Sequence, residues 1–173
     1  MKTWSVLLTM TIALLLQAAL ARYTIGGRWH FDLVLVGVMY AALSGGAAAG
    51  LLAGLVGGLA LDCLSTGIVG IGGLAKTWVG FLAGAFGSQF VVVKAPTRTA
   101  FVALATLLHR GILLGLQGLI DQQWPSVPWA AMLGETGLNA LAGFIAFKAT
   151  EVLPGAMERG RLSRRSTLGR RRW

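Results

Sequence analysis

Apolar residues occupy this chain in long blocks, and short polar or glycine-containing stretches separate the blocks. Most blocks approach the roughly 20 residues that cross a bilayer as a helix, but the second is short and is expected to be tilted or partly buried. The pattern predicts an all-α integral membrane protein with six transmembrane helices. These are expected at about residues 4–21, 31–43, 47–64, 71–92, 99–120 and 129–153.

The first block has two interpretations. A lysine at position 2, an apolar run and Ala19-Leu20-Ala21 are typical of a cleavable signal peptide. The apolar stretch from 4 to 21 is nevertheless close to a full crossing, which favours a retained first helix. The transmembrane domain is therefore predicted over residues 1–153, with a basic tail at 154–173.

Composition supports a membrane protein and limits its chemistry. Of 173 residues, 55% are hydrophobic and only 12% are charged, about half the charge of a soluble domain. The single cysteine, Cys63, excludes an internal disulfide, and His30 and His109 have no metal-ligand spacing. No nucleophile–histidine–carboxylate set or phosphate-binding lysine motif is present. We predict a non-enzymatic protein without a metal or cofactor.

The net charge of +9 comes mostly from the C-terminal tail and not from a nucleic-acid-binding surface. With the N-terminus inside and six crossings, eleven lysines and arginines lie on the inner side and only Arg22 and Arg28 on the outer side. This asymmetry predicts that both termini are cytoplasmic. The tail arginines are Arg159, Arg161, Arg164, Arg165, Arg170, Arg171 and Arg172.

Glycines recur at four-residue spacing inside the apolar blocks. On a helix this spacing places them on one face, where another helix can approach closely. Each set is expected to form an internal seam or to meet a partner, and the sequence leaves open which. The sets are Gly46, Gly50, Gly54 and Gly58; Gly80 and Gly84; and Gly111 and Gly115.

Four ionisable residues lie at predicted membrane depth, where charge is costly and is usually paired. Asp62 and Lys76 flank the turn at 65–67 and are expected to form a polar pair near the tip of a helical hairpin. Arg110 and Glu135 lie at similar depth in the last two helices, so we predict a contact between them. Fixing helix register is the favoured role of these groups, with a proton or substrate relay as the alternative.

The segment 54–76 carries a resemblance to a known family. A glycine-rich helix ends in Asp62, a Ser65-containing turn follows, Gly70 comes next, and an apolar helix runs to Lys76. This arrangement, the size, the six predicted helices and the basic tail together resemble the rod shape-determining protein MreD family. Family members often carry proline before the polar residue that opens the second helix, where this chain has Phe31 before Asp32.

The resemblance implies a non-enzymatic subunit of the bacterial cell-elongation machinery in the inner (cytoplasmic) membrane. It implies a fold similar to the substrate-binding S components of vitamin transporters, and direct binding to MreC. Through MreC it implies indirect association with RodA, a class B penicillin-binding protein and MreB. A homodimer is a further candidate state. The alternative function is a vitamin-type binding subunit of a transporter, which predicts a polar cavity beneath the loops at 22–30, 65–72 and 121–128.

The basic tail also has two interpretations. Arginines next to a membrane bind anionic lipid, at about 1 kcal/mol per residue near the surface. A contact with a cytoplasmic protein such as MreB is the alternative, and lipid binding is favoured.

Overall fold

The computed structural model describes residues 3–20, 31–65, 68–89, 95–122 and 126–169, and these residues fold into helices joined by turns. The predicted all-α architecture is confirmed. The helices are α1 (Thr3–Leu20), α2 (Leu33–Leu64), α3 (Ile71–Gln89), α4 (Ala95–Asp121) and α5 (Trp129–Gly169).

The expected six transmembrane helices are not reproduced. The described residues form five helices, because the second and third predicted helices belong to one element, α2. Within the described ranges, three stretches are long and apolar enough to cross a membrane: Leu33–Leu64, Pro96–Asp121 and Trp129–Thr150. Val6–Leu20 is apolar but shorter.

Helix α2 contains a break at Gly46, whose φ of 80° and ψ of −170° are not helical. In an unbroken helix, Asp32 and Gly54 would lie about 33 Å apart at 1.5 Å per residue. Both instead lie next to Lys76: the Asp32 carboxylate is 2.8 Å from the lysine Nζ, and Gly54 packs against the lysine backbone. The chain therefore reverses direction near Gly46, between the helices predicted at 31–43 and 47–64. We call residues 33–45 the first arm of α2 and residues 47–64 its second arm.

Successive helical segments run antiparallel to one another. The second arm and α3 approach at Gly46 with Gly84, at Gly50 with Gly80 and at Gly58 with Gly73, as in a hairpin. Helices α4 and α5 are also antiparallel, since Gly143 faces Val102 while Glu135 contacts Arg110. One end of the bundle consequently gathers the ends of α1 and α4, both ends of α2 and the starts of α3 and α5. We call it the polar end.

The first arm of α2 is the centre of the core. Val34, Leu35, Val38, Met39 and Ala41 are fully buried in it, so almost every face of this short helix is covered. Apolar residues on all sides are typical of a buried helix. The expectation that this segment is partly buried by its neighbours is confirmed. One cluster joins the arm to α3, α4 and α5, and a second joins it to α1 and the second arm.

The predicted end of the last helix is wrong. The prediction ends the last helix at 153, whereas α5 continues to Gly169. Methionine, glutamate, leucine and arginine follow Gly155, and these straight-chain residues favour helix even without an apolar stripe. Arg159, Arg161, Arg164 and Arg165 therefore lie on α5, and Arg170, Arg171 and Arg172 lie outside the described residues.

Candidate functional site

A buried ion pair lies at the polar end of the bundle. Asp32 immediately precedes the first arm, and its carboxylate Oδ2 is 2.8 Å from the Nζ of Lys76 on α3. Both side chains are almost completely buried, with 10% and 4% of their surfaces exposed. Oδ1 of Asp32 also accepts a hydrogen bond of 2.9 Å from the Leu35 amide and so caps the arm.

His109 on α4 extends this pair. Its Nε2 atom lies 3.3 Å from Lys76 Nζ and 3.5 Å from Asp32 Oδ2, and the residue is 1% exposed. One carboxylate, one ammonium group and one imidazole therefore meet where α2, α3 and α4 converge. We call Asp32, Lys76 and His109 the buried triad.

Helix α5 is tied to the triad through Asn139. Its Oδ1 accepts a 3.0 Å hydrogen bond from the Asp32 amide, and its Nδ2 donates across 3.4 Å to Thr106 Oγ1. The Thr106 hydroxyl in turn donates to the carbonyl of Val102 one turn earlier. Asn139 and Thr106 are fully buried, so this network fixes the register of α4 and α5 around the start of the first arm.

The predicted contact between Arg110 and Glu135 is confirmed. The arginine Nε and Nη2 atoms both donate to Oε2 of Glu135, which is a charge-assisted arrangement. The glutamate side chain is 4% exposed, whereas one third of the arginine surface remains accessible. This pair lies beside the triad, because Arg110 follows His109 in sequence.

The predicted pair between Asp62 and Lys76 is wrong. Lys76 bonds to Asp32, while Asp62 Oδ2 accepts hydrogen bonds of 2.9 Å from the amides of Gly70 and Gly73. The physical reason is the start of α3, where free amide groups and the helix dipole favour a carboxylate. Asp62 therefore joins the second arm to α3 without using the lysine.

Sequence reasoning missed the most connected residue of the site, Asp32. It also missed Gln17 on α1, whose amide nitrogen donates to the Phe31 carbonyl and whose oxygen accepts from the Leu33 amide. A local signal was available for Asp32, because an aspartate directly before a long apolar run is typical of a helix N-cap. No local pattern indicates that Lys76, 44 positions later, is its partner.

The glycine seams fall into two groups. Gly46, Gly50, Gly54, Gly58, Gly80 and Gly84 close the interface between the second arm and α3. A Cβ atom at Gly50, Gly54 or Gly80 would collide with backbone of the facing helix. Around Gly111 and Gly115 on α4, in contrast, no atom of the described residues lies within 4 Å of a Cβ position.

An open cleft of about 960 Å³ enters the polar end. Its lining contains the triad, Arg110 and Glu135, together with Asp62, Ser65 and Asp121. One wall is apolar and consists of Leu61, Leu64, Ile68, Ile71 and Leu113. The arrangement is an amphipathic pocket of the size that holds small organic ligands.

The cleft has no grouping typical of a metal centre. Among the residues that the structure describes, no three histidine, cysteine or acidic side chains converge closely enough to hold an ion.

Comparison with known proteins gave no relative. No protein-family model, characterised protein or solved structure matches this chain significantly.

Proposed function

We propose that this chain is a non-enzymatic, MreD-type subunit of the bacterial cell-elongation complex in the cytoplasmic membrane. In this role it binds MreC and so supports lateral peptidoglycan synthesis and cell shape. The observation that carries the proposal is the hairpin made by the second arm and α3. Two parts of the motif that resembles the family have a structural task there: Asp62 caps α3, and the glycines bring the two helices together.

The antiparallel order of the helical segments supports a topology of six crossings for this proposal. With α1 starting in the cytoplasm, the first arm of α2 crosses from outside to inside and the second arm crosses from inside to outside. Helix α3 returns to the cytoplasm, α4 crosses outward, and α5 ends in the cytoplasm. The first arm, at about 20 Å, is too short for a full bilayer, but it is enclosed by its neighbours and meets little lipid. Both termini then lie on the side that carries most lysines and arginines.

The face of α4 that carries Gly111 and Gly115 is the proposed docking site for the single transmembrane helix of MreC. The other glycine seams are already occupied by the chain itself, whereas this one is open. Leu104 and Leu108 are exposed on the same helix and offer apolar contact area beside the glycines. Small residues that let backbones approach are the typical basis of helix association in lipid.

Co-purification from membranes tests this function. Tagged MreC is expected to retain the wild-type chain and to lose the Gly111→Leu/Gly115→Leu variant. The matched control is Gly137→Leu, since Gly137 on α5 also faces open space. Failure of the wild-type chain to bind MreC would refute the function. Binding by the double variant would refute only the docking face.

The basic end of α5 is proposed to bind anionic lipid at the cytoplasmic surface. Removing residues 159–173 is expected to leave MreC binding and rod shape intact while weakening retention on vesicles rich in phosphatidylglycerol. Loss of rod shape with normal vesicle binding would instead indicate a protein partner such as MreB.

A vitamin-type binding subunit of a transporter is the second candidate. The cleft at the polar end favours it, because residues of two of the three expected loop regions, Ser65, Ile68 and Asp121, line it. The region 22–30 lies outside the described residues. Tight binding of a vitamin with no MreC retention would select this candidate over the first.

A further inference from the structure

A second open groove lies on the side of the bundle, between α1 and α5. Among the described residues, no Cα atom of α1 comes within 8 Å of a Cα atom of α5, and the first arm of α2 closes the gap from behind. The groove has a volume of about 410 Å³, which is within the range of small-molecule sites. Its lining is almost entirely apolar.

Contacts between the three segments show which lining residues lie at the same level. The rings of Tyr40 on the first arm and Phe147 on α5 have centres 6.2 Å apart. Helix α1 runs antiparallel to the arm, with Ala13 beside Gly37. One end of the groove, away from the polar end of the bundle, therefore gathers the hydroxyl-bearing residues of its lining: Thr9, Tyr40 and Thr150.

A cation lies at this same end. The guanidinium carbon of Arg98, in the first turn of α4, is 5.5 Å from the centre of the Phe147 ring, and Phe147 lines the groove. This is a cation–π contact, and Arg98 remains partly exposed. Within the described residues, the lining itself contains no charged side chain. The groove thus combines an apolar body with one basic, hydroxyl-bearing end.

The length of the groove indicates the kind of molecule that fits it. Its lining on α5 extends from Ala142 to Thr150, which is about 12 Å along the helix. A transmembrane helix of a partner would run through the whole hydrocarbon core of about 30 Å, whereas a lipid chain occupies one leaflet, about half of that depth. An acyl chain that enters from the leaflet at the Arg98 end matches both the depth and the apolar lining.

Charge decides which headgroup is favoured. A phospholipid with an acyl chain in the groove holds its phosphate at the basic end, where the Arg98 guanidinium can donate charge-assisted hydrogen bonds. Phosphatidylcholine carries a choline cation next to its phosphate, and Arg98 would repel that cation. Phosphatidylglycerol has an uncharged glycerol at the same place, so the groove should favour it.

We propose that the groove between α1 and α5 is a binding site for an anionic phospholipid, with one acyl chain against Ala13, Gly37 and Ala146 and its phosphate at Arg98. The site differs from the lipid contact of the basic end of α5, which uses surface charge without a groove. It rests on the membrane location in the proposed function and does not depend on MreC.

Photolabelling of the full chain in lipid nanodiscs tests the site. The bilayer is phosphatidylcholine with a small fraction of a probe lipid that carries a diazirine in the middle of one acyl chain. The two probes, phosphatidylglycerol and phosphatidylcholine, differ only in the headgroup, and mass spectrometry of peptides locates the label. We expect the phosphatidylglycerol probe to label segments 9–16, 33–40 and 142–150 about fivefold more, the effect of one basic residue at a membrane surface. Leu133, exposed on α5 outside the lining, should be labelled equally by both.

Two pairs of variants locate the effect. Arg98→Gln should remove the preference while the groove still takes label from both probes. Lys148→Gln removes a cation from an exposed position of α5 outside the lining, so it should keep the preference. Ala146→Trp should fill the groove and abolish its labelling, whereas Ala130→Trp, exposed on the same helix outside the lining, should not. Should Ala146→Trp fail to fold, Ile145→Trp fills the same groove from a position that is 61% exposed.

Other results overturn the inference. Equal labelling of the groove by the two probes would show ordinary bulk lipid. A preference that survives Arg98→Gln, or that disappears in Lys148→Gln, would assign it to charge elsewhere on the chain. A groove without label, while Leu133 is labelled, would show that another segment or a partner helix fills it. Absence of label anywhere on the chain would refute the membrane location and with it the proposed function.

Discussion

Two glycine seams with the same spacing in sequence have opposite roles in this molecule. Gly50 and Gly54 face backbone atoms of α3, and their hydrogens occupy space that a methyl group cannot share. Gly111 and Gly115 on α4 face open space on the outside of the bundle. Four-residue spacing of glycine thus predicts a surface that permits close approach, but it does not determine which helix approaches.

The largest effect is expected when the closed seam is filled. Gly54→Leu places a side chain where the Lys76 carbonyl and the Thr77 Cα lie, and backbone cannot move aside without separating the helices. We expect no folded protein, measured as loss of the monodisperse peak in size-exclusion chromatography in detergent. Gly111→Leu is the matched control and should elute as wild type. Normal elution and melting of Gly54→Leu would contradict the closed seam.

The next largest effect concerns the buried triad. Lys76→Met leaves the Asp32 carboxylate buried without its cation, which should cost about 3–5 kcal/mol of unfolding free energy. Denaturation in mixed micelles, followed by tryptophan fluorescence, measures it. Lys148→Met, at an exposed position, should cost less than about 1 kcal/mol. Adding Asp32→Asn to Lys76→Met should recover part of the loss, and a double variant no better than the single one would argue against the pair.

A smaller loss is expected at the helix cap that joins the two hairpin segments. Asp62→Ala removes the acceptor for the Gly70 and Gly73 amides, so we expect a loss of about 0.5–2 kcal/mol. Asp121→Ala is the control, because that exposed carboxylate sits at the C-terminus of α4, where negative charge is not stabilised. Equal melting temperatures for the Asp62 variant and wild type would contradict the capping role.

The smallest effect is expected at the open seam, where the sign of the stability change should be opposite to that at the closed seam. Gly111→Ala adds a methyl group in open space and improves helix propensity, so it should stabilise the chain by at most about 1 kcal/mol. Gly50→Ala makes the same change against the Gly80 carbonyl and should destabilise it. Destabilisation by Gly111→Ala as well would mean that the α4 face is occupied in the folded protein.

Part of the site could be predicted from how deep each charged residue lies along its predicted helix. Arg110 and Glu135 were found because each is a lone charge at a similar distance from one end of adjacent antiparallel helices. The same reasoning failed for Asp62 and Lys76, because depth alone does not reveal a competing partner. Asp32 was overlooked because it lies at a helix boundary instead of inside an apolar block, although its position before the run of α2 marks it as a cap.

The sequence by itself determined the elements: long apolar blocks specify helices that are long and apolar enough to cross a membrane, and the short stretch between residues 43 and 47 separates two of them. It also determined that some helix faces permit close approach of another helix, because glycine has no side chain. Only the tertiary structure decided which glycine face packs against another helix of the chain and which cation neutralises Asp32. Those outcomes depend on contacts between segments far apart in the chain, and local periodicity contains no information about them.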